Sequence, residues 1–138
     1  MPSEPEFLPA SNADSPFPDA LPVLIVDDDP VILAMLRDVL EEAGMVVLTA
    51  RDGKAALALL QRTPVGLVLT DLMMPFVTGF QLAQQLHSNP ASAGVPVVLM
   101  SAALPPHLAD VFAAIVPKPF VLDELVETVR QFKLSPRG

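Results

Sequence analysis

The chain has no cysteine, which excludes a disulfide framework, a thiolate metal site and a thiol nucleophile. That absence suits a reducing, cytoplasmic setting. Basic residues are scarce: 8 Lys and Arg stand against 16 Asp and Glu, for a net charge of −8. Phosphate-backbone recognition needs clustered Lys and Arg, so this balance argues against direct nucleic-acid binding and for basic protein surfaces or cations as partners. Long apolar runs are also missing. Pro, Gly or a charge interrupts every hydrophobic stretch before the roughly 18 residues a membrane helix needs, so no membrane partner is expected. The first twenty residues contain five prolines and no Lys or Arg. They lack the charged region and apolar core of a signal peptide and read as a flexible acidic leader. No internal repeat or low-complexity tract follows them.

What is present suits one globular domain. Of the 138 residues 51% are hydrophobic and 17% charged, enough for one core and too few residues for a second folded unit. The expected division is a leader over 1–20, a domain over 21–134 and a tail over 135–138. From Leu21 onward, short apolar runs alternate with segments of helical period. Leu21 to Val26 reads as a strand buried on both faces. Asp29 and Pro30 then supply an N-cap and a first-turn proline, and Ile32, Leu36, Val39, Leu40 and Ala43 share one helical face. Gly44 stops that helix.

The alternation continues with a strand over Met45 to Thr49, a helix capped by Asp52 with Ala56, Leu59 and Leu60 inward, and a strand over Gly66 to Thr70. A helix near Gly79 to His87, a strand over Val95 to Met100, a short segment over Leu104 to Ala113 and a strand over Ala114 to Val116 come next. Leu122, Leu125, Val126 and Val129 recur at i, i+3, i+4 and i+7, defining a last helix. Strands alternating with helices imply right-handed crossovers and a doubly wound α/β fold with a parallel sheet.

In such a sheet, functional groups collect beyond the carboxyl ends of the strands. Asp27 and Asp28 follow the first strand, Asp71 the third, Ser101 the fourth and Lys118 the fifth. Three carboxylates and one ammonium sum to −2 in a confined crevice, and their repulsion calls for a cation. Mg2+ suits oxygen ligands and keeps several waters. Asp28 and Asp71 are expected as direct ligands, Asp27 as holder of a bound water, and Met73 as donor of a backbone carbonyl. An aspartate beside such a cation is also a nucleophile, forming aspartyl phosphate while the metal and Lys118 neutralise phosphoryl oxygens. Ser101 offers those oxygens a hydroxyl.

Four stretches, "LIVDDDP", "LTDLMMPFVTG", "VVLMSA" and "VPKPF", resemble the four signatures of response-regulator receiver domains, over roughly residues 21 to 134. Their order and spacing make the resemblance specific, where one motif alone would be weak. It implies a five-stranded parallel, flavodoxin-like sheet in the order 2-1-3-4-5, which a member of this family is commonly used to illustrate. It also implies phosphotransfer to Asp71 from a histidine kinase or His phosphotransfer protein. Ser101, Ala102 and Lys118 then bind the phosphoryl group, Pro75, Gly79 and Pro119 shape loops, and the Lys118-Pro119 bond is cis. The signal passes to a downstream protein target by contact or onward phosphotransfer, from a stand-alone monomer or weak dimer with no output domain. The protein is expected to catalyse only its own phosphorylation and dephosphorylation.

Two departures bear on mechanism. Receivers usually carry Tyr or Phe three residues before the lysine, as a rotamer switch paired with the hydroxyl residue; here Ser101 faces that role with Ile115. The interval from Ser101 to Lys118 is short and contains Pro105 and Pro106, so the helix at the fourth position is expected to be shortened or missing. Phosphorylation is then expected to change loop order around Ala102 to Leu108. Blander readings hold elsewhere. Asp29 is a cap and not a ligand, His87 and His107 are surface residues, Met74 packs, and Met73 overlooks the site. The rival functions are an aspartyl-phosphate phosphohydrolase, which lacks a second acid at Met73, and a pseudo-receiver adaptor that never takes phosphate.

Overall fold

Strands covered on both faces need no alternation of polar and apolar residues, and the central strands here show none. The computed structural model describes residues 21–74, 76–102 and 110–134. Every residue of β1 (Val23–Val26) is buried, as are the first four of β3 (Leu67–Asp71) and of β4 (Val97–Ser101). The flanking strands β2 (Val47–Ala50) and β5 (Ala114–Pro117) are more open, as sheet edges are. All neighbours run parallel in the order β2-β1-β3-β4-β5, the order expected.

Parallel pairing requires crossovers, and four helices among the described residues cover the two faces: α1 (Pro30–Glu42), α2 (Gly53–Leu60), α3 (Gly79–Ser88) and α4 (Leu122–Phe132). On one face Leu36 and Leu40 of α1 and Leu125 and Val129 of α4 pack with Ile25, Leu69 and Val98. On the other, Ala56 of α2 and Leu82 and Leu86 of α3 pack with Val26, Val68 and Leu99. Each fully buried leucine contributes about 1.5–3 kcal/mol by leaving water, so both layers are held mainly by this term.

The helix starts follow from local chemistry. Asp29 accepts the Val31 N–H at 2.9 Å with Pro30 behind it, and Asp52 accepts the Ala55 N–H at 2.7 Å. Thr78 and Gln81 form a reciprocal capping box at the start of α3, a signature not singled out from the sequence. Gly44 has φ 92°, a conformation open to glycine, and ends α1.

Several boundaries differ from expectation for identifiable reasons. β2 starts at Val47, because the Met45 N–H turns back to the Leu40 carbonyl. β4 starts at Val97: the Val95 N–H closes a turn on Ser92, and Pro96 has no N–H to give. The buried stripe of α1 is centred on Leu33, Leu36 and Leu40, which leaves Ile32 and Val39 at its margins.

At the amino edge of the sheet, Gly66 donates to the Pro22 carbonyl and its own carbonyl accepts the Leu134 N–H at 2.9 Å. A Cβ on Gly66 would meet Leu134 O at 2.7 Å and Leu21 Cβ at 3.1 Å. Residues 21 and 134 therefore lie side by side against one glycine.

Between β4 and β5, Ala102 and residues 110–113 contain no α-helix. The expected shortening of the fourth-position helix and the loop-order change fall largely on 103–109, outside the described residues, as do the leader, Pro75, His107 and the tail. Among the described residues no helix is long and apolar enough to cross a membrane.

Candidate functional site

The register of the sheet brings the sequence-identified acids together. Val26 pairs with Thr70 across β1 and β3, so the residues that follow them, Asp27 and Asp71, emerge beside each other. Asp27, Asp28 and Asp71 each offer a carboxylate oxygen, and these oxygens lie within 4.8 Å of one another. Ser101 ends β4 opposite Pro117, and its carbonyl accepts the Lys118 N–H at 3.2 Å. The Lys118 ammonium reaches back to Asp71 Oδ1 at 3.2 Å and to Asp27 Oδ2 at 3.8 Å. The Lys118-Pro119 peptide is cis.

Asp27 is the buried member, with 1% of its surface exposed. Its Oδ1 accepts the Asp29 N–H at 2.9 Å, but Oδ2 is buried without a hydrogen-bond partner, since Lys118 at 3.8 Å forms an ion pair only. Burial pushes the Asp27 carboxyl above the usual carboxylate range; the Asp29 N–H opposes this, the Asp71 charge adds to it, Lys118 opposes it and Asp28 adds to it. A buried carboxylate oxygen with no hydrogen bond, beside two more acids and offset only by the Lys118 ion pair, is a costly arrangement for the protein alone. An all-oxygen set of this kind fits a hard divalent cation such as Mg2+.

The loop after β3 is gripped tightly. The Leu72 N–H donates to Asp71 Oδ1 at 2.8 Å, and the Gly79 N–H donates to the Leu72 carbonyl at 2.8 Å. A side chain at Gly79 would collide with the Asp71 carbonyl oxygen, which explains why glycine stands there. Thr70, fully buried, donates its hydroxyl to the Asp71 carbonyl at 2.9 Å and approaches Met74 Sδ at 3.8 Å. Met74 packs into the core, whereas Met73 is 71% exposed. Phe76 holds φ 70°, a region costly for a bulky residue, and turns its ring to solvent.

Ile115, at the expected switch position, is partly exposed on β5 opposite Leu99. Ala102 is exposed beside Ser101, and His87 lies exposed in the last turn of α3. Thr70 escaped notice in the sequence because a β-branched residue in an apolar run reads as strand filler. Its signal was its parity: it is the one polar group in the run and falls on the face opposite Asp71.

A family model described as the response regulator receiver domain matches residues 23–130. The chain is 38% identical over 92 residues to the gliding motility regulatory protein of Myxococcus xanthus, covering 67% of this chain and 12% of that protein. It is 36% identical over 113 residues to the probable transcriptional regulatory protein TcrX of Mycobacterium tuberculosis, covering 78% of this chain and 47% of that protein. The chain thus spans less than half the length of either relative. The solved structure of the chemotaxis response regulator CheY4 of Vibrio cholerae superposes with a TM-score of 0.75 at 27% identity, over 82% of this chain and 98% of that one.

Proposed function

The chain belongs to the response regulator receiver domain family, and we propose that it accepts a phosphoryl group on Asp71 from a phosphohistidine of a kinase or phosphotransfer protein. The observation that carries this reading is the meeting of Asp27, Asp28 and Asp71 within 4.8 Å, with Lys118 3.2 Å from Asp71. Asp28, Asp71 and the Met73 carbonyl would hold Mg2+ directly, with Asp27 reaching it through a water. The bound cation supplies positive charge where phosphoryl oxygens arrive.

The protein's own groups do the rest. Asp71 Oδ1 is fixed by the Leu72 N–H and Lys118, so the carboxylate is oriented before the donor docks. As the O–P bond to Asp71 forms, the N–P bond of the donor histidine breaks and the imidazole leaves. Lys118, the Ser101 hydroxyl and the Ala102 backbone receive the phosphoryl oxygens. Ser101 and Ile115 occupy the switch positions, and the receiver unit spans 21–134.

A protein donor is favoured by the rim of the site. Val31 is 74% exposed, Phe76 81% and Val121 57%. They stand at the start of α1, in the loop after β3 and at the start of α4, all at the carboxyl edge of the sheet. Apolar groups ringing an acidic centre suit a partner that brings an apolar helix face around its histidine. The signal then passes to a target protein by contact or by further transfer.

Incubation with acetyl phosphate and Mg2+, followed by intact mass measurement of wild type and Asp71→Asn, tests the reading. The wild type gains one phosphoryl group and the variant gains none. No gain in the wild type would favour a phosphate-independent adaptor, the reading that Ile115 at the switch position supports. Steady phosphate release without an adduct would favour a hydrolase.

A further inference from the structure

Thr70 has no part in the chemistry above, yet it is a fully buried polar residue directly before Asp71. Val68 packs on the α2 and α3 face and Leu69 on the opposite one, so strand alternation sends Thr70 under the sheet edge while Asp71 faces the crevice. Valine would fill that space without a polar group to satisfy. The hydroxyl has one proton, and of its two neighbours the Asp71 carbonyl at 2.9 Å is a better acceptor than Met74 Sδ at 3.8 Å.

That carbonyl shares a rigid plane with the Leu72 N–H, because both belong to the peptide bond between Asp71 and Leu72. The carbonyl accepts from the Thr70 hydroxyl, and the start of α3 lies so near that a Cβ on Gly79 would collide with its oxygen. The N–H on the other side of the plane donates to Asp71 Oδ1 at 2.8 Å. Any rotation of the plane that frees the hydroxyl also turns the N–H away from the carboxylate. The hydroxyl on one face of the sheet is thereby coupled to the acid on the other.

We propose that Thr70 is a positioning residue for Asp71, whose hydroxyl, acting through the Asp71-Leu72 peptide plane, holds the carboxylate in the orientation that cation binding and phosphoryl transfer require. This rests on the phosphoacceptor reading for its functional half only. The orientation of the plane is a property of the protein without ligands.

The test compares Thr70→Val, which keeps volume and loses the hydroxyl, with Thr70→Ser, which keeps the hydroxyl and loses a methyl group. Three quantities are read in the full chain: amide exchange at Leu72 without cation, Mg2+ affinity by calorimetry, and thermal midpoint. Thr70→Val is expected to speed Leu72 exchange about tenfold and weaken Mg2+ binding about three- to tenfold, with a midpoint close to wild type. Thr70→Ser is expected to keep exchange and affinity while melting lower, a crossed pattern that a purely structural role does not give. Leu72 protection and Mg2+ affinity within about twofold of wild type in Thr70→Val would overturn the proposal, as would a Thr70→Ser variant that fails in the same way as Thr70→Val. Wild type that takes no phosphoryl group from acetyl phosphate overturns the phosphoacceptor reading instead. The Leu72 comparison needs no phosphate donor and decides the positioning role separately.

Discussion

The ammonium of Lys118 sits 3.2 Å from Asp71 Oδ1 and 3.8 Å from Asp27 Oδ2, so one cation serves two acids. Among the described residues it is the ammonium paired with these acids, and a metal bound there would have to share them with it. Lys118→Met should therefore bind Mg2+ about threefold tighter or more, because a like charge has left the site. Its phosphorylation by acetyl phosphate should slow about tenfold or more, because the phosphoryl oxygens lose a partner. Calorimetry and intact mass time courses check the two halves. Weaker Mg2+ binding would show that the lysine organises the acids and does not compete for them.

Asp27 gives a pH dependence of definite sign. Burial raises its carboxyl above the ordinary value of 3.8, so around and above that value the native state holds this proton more tightly than the unfolded chain. Its contribution to stability is best at low pH and falls as pH rises through the raised native value. Without cation, Asp27→Asn should melt above wild type at pH 7, with the gain shrinking towards pH 4. Adding Mg2+ should raise the wild-type midpoint more than that of the variant. A variant that melts below wild type at pH 7 would mean that Lys118 more than compensates the burial.

Gly79→Ala should cost about 1–3 kcal/mol, because the added methyl group has no room beside the Asp71 carbonyl oxygen. The backbone must yield at the acid itself, so the rate of adduct formation should fall with stability. Thermal melting and the acetyl phosphate assay report both. Unchanged values would show that the start of α3 can move away at no cost.

Met73 stands two residues after Asp71 with 71% of its surface exposed and carries no group to orient an attacking water. The phosphorylated protein should therefore outlast seconds by a wide margin without a phosphatase. Met73→Asn should shorten its lifetime roughly tenfold by supplying a hydrogen-bonding side chain. Decay followed by intact mass decides this, and a wild-type lifetime of only seconds would refute it.

The acids and the lysine were legible in the sequence because a parallel sheet turns strand order into position: whatever follows each strand arrives at one edge. The Asp29 and Asp52 caps were legible because capping is local chemistry. Strand starts were less so, since a backbone N–H at Met45 or Val95 chose a turn over the ladder, and side-chain pattern does not report that choice. The α1 face was legible at Leu36 and Leu40, but its centre lies nearer Leu33 than Ile32, for a related reason. Ile32 and Leu33 are equally apolar, and only the approach of the sheet decides which is covered. Thr70 and the Thr78–Gln81 capping box were written in the chain but overshadowed, the first by its apolar neighbours and the second by the glycine after it.

Gly66 joins Leu21 and Leu134 at the pole of the molecule opposite the acids. Two chain positions held against the same glycine can be bridged by a short linker. The unit can then be reopened elsewhere as a circular permutant, or spliced into a surface loop of a host protein through both ends at once. Either graft would leave the Asp71 crevice facing outward, so a host whose activity depends on the spacing of those two ends would sense cation or phosphoryl loading only as strain carried through the sheet.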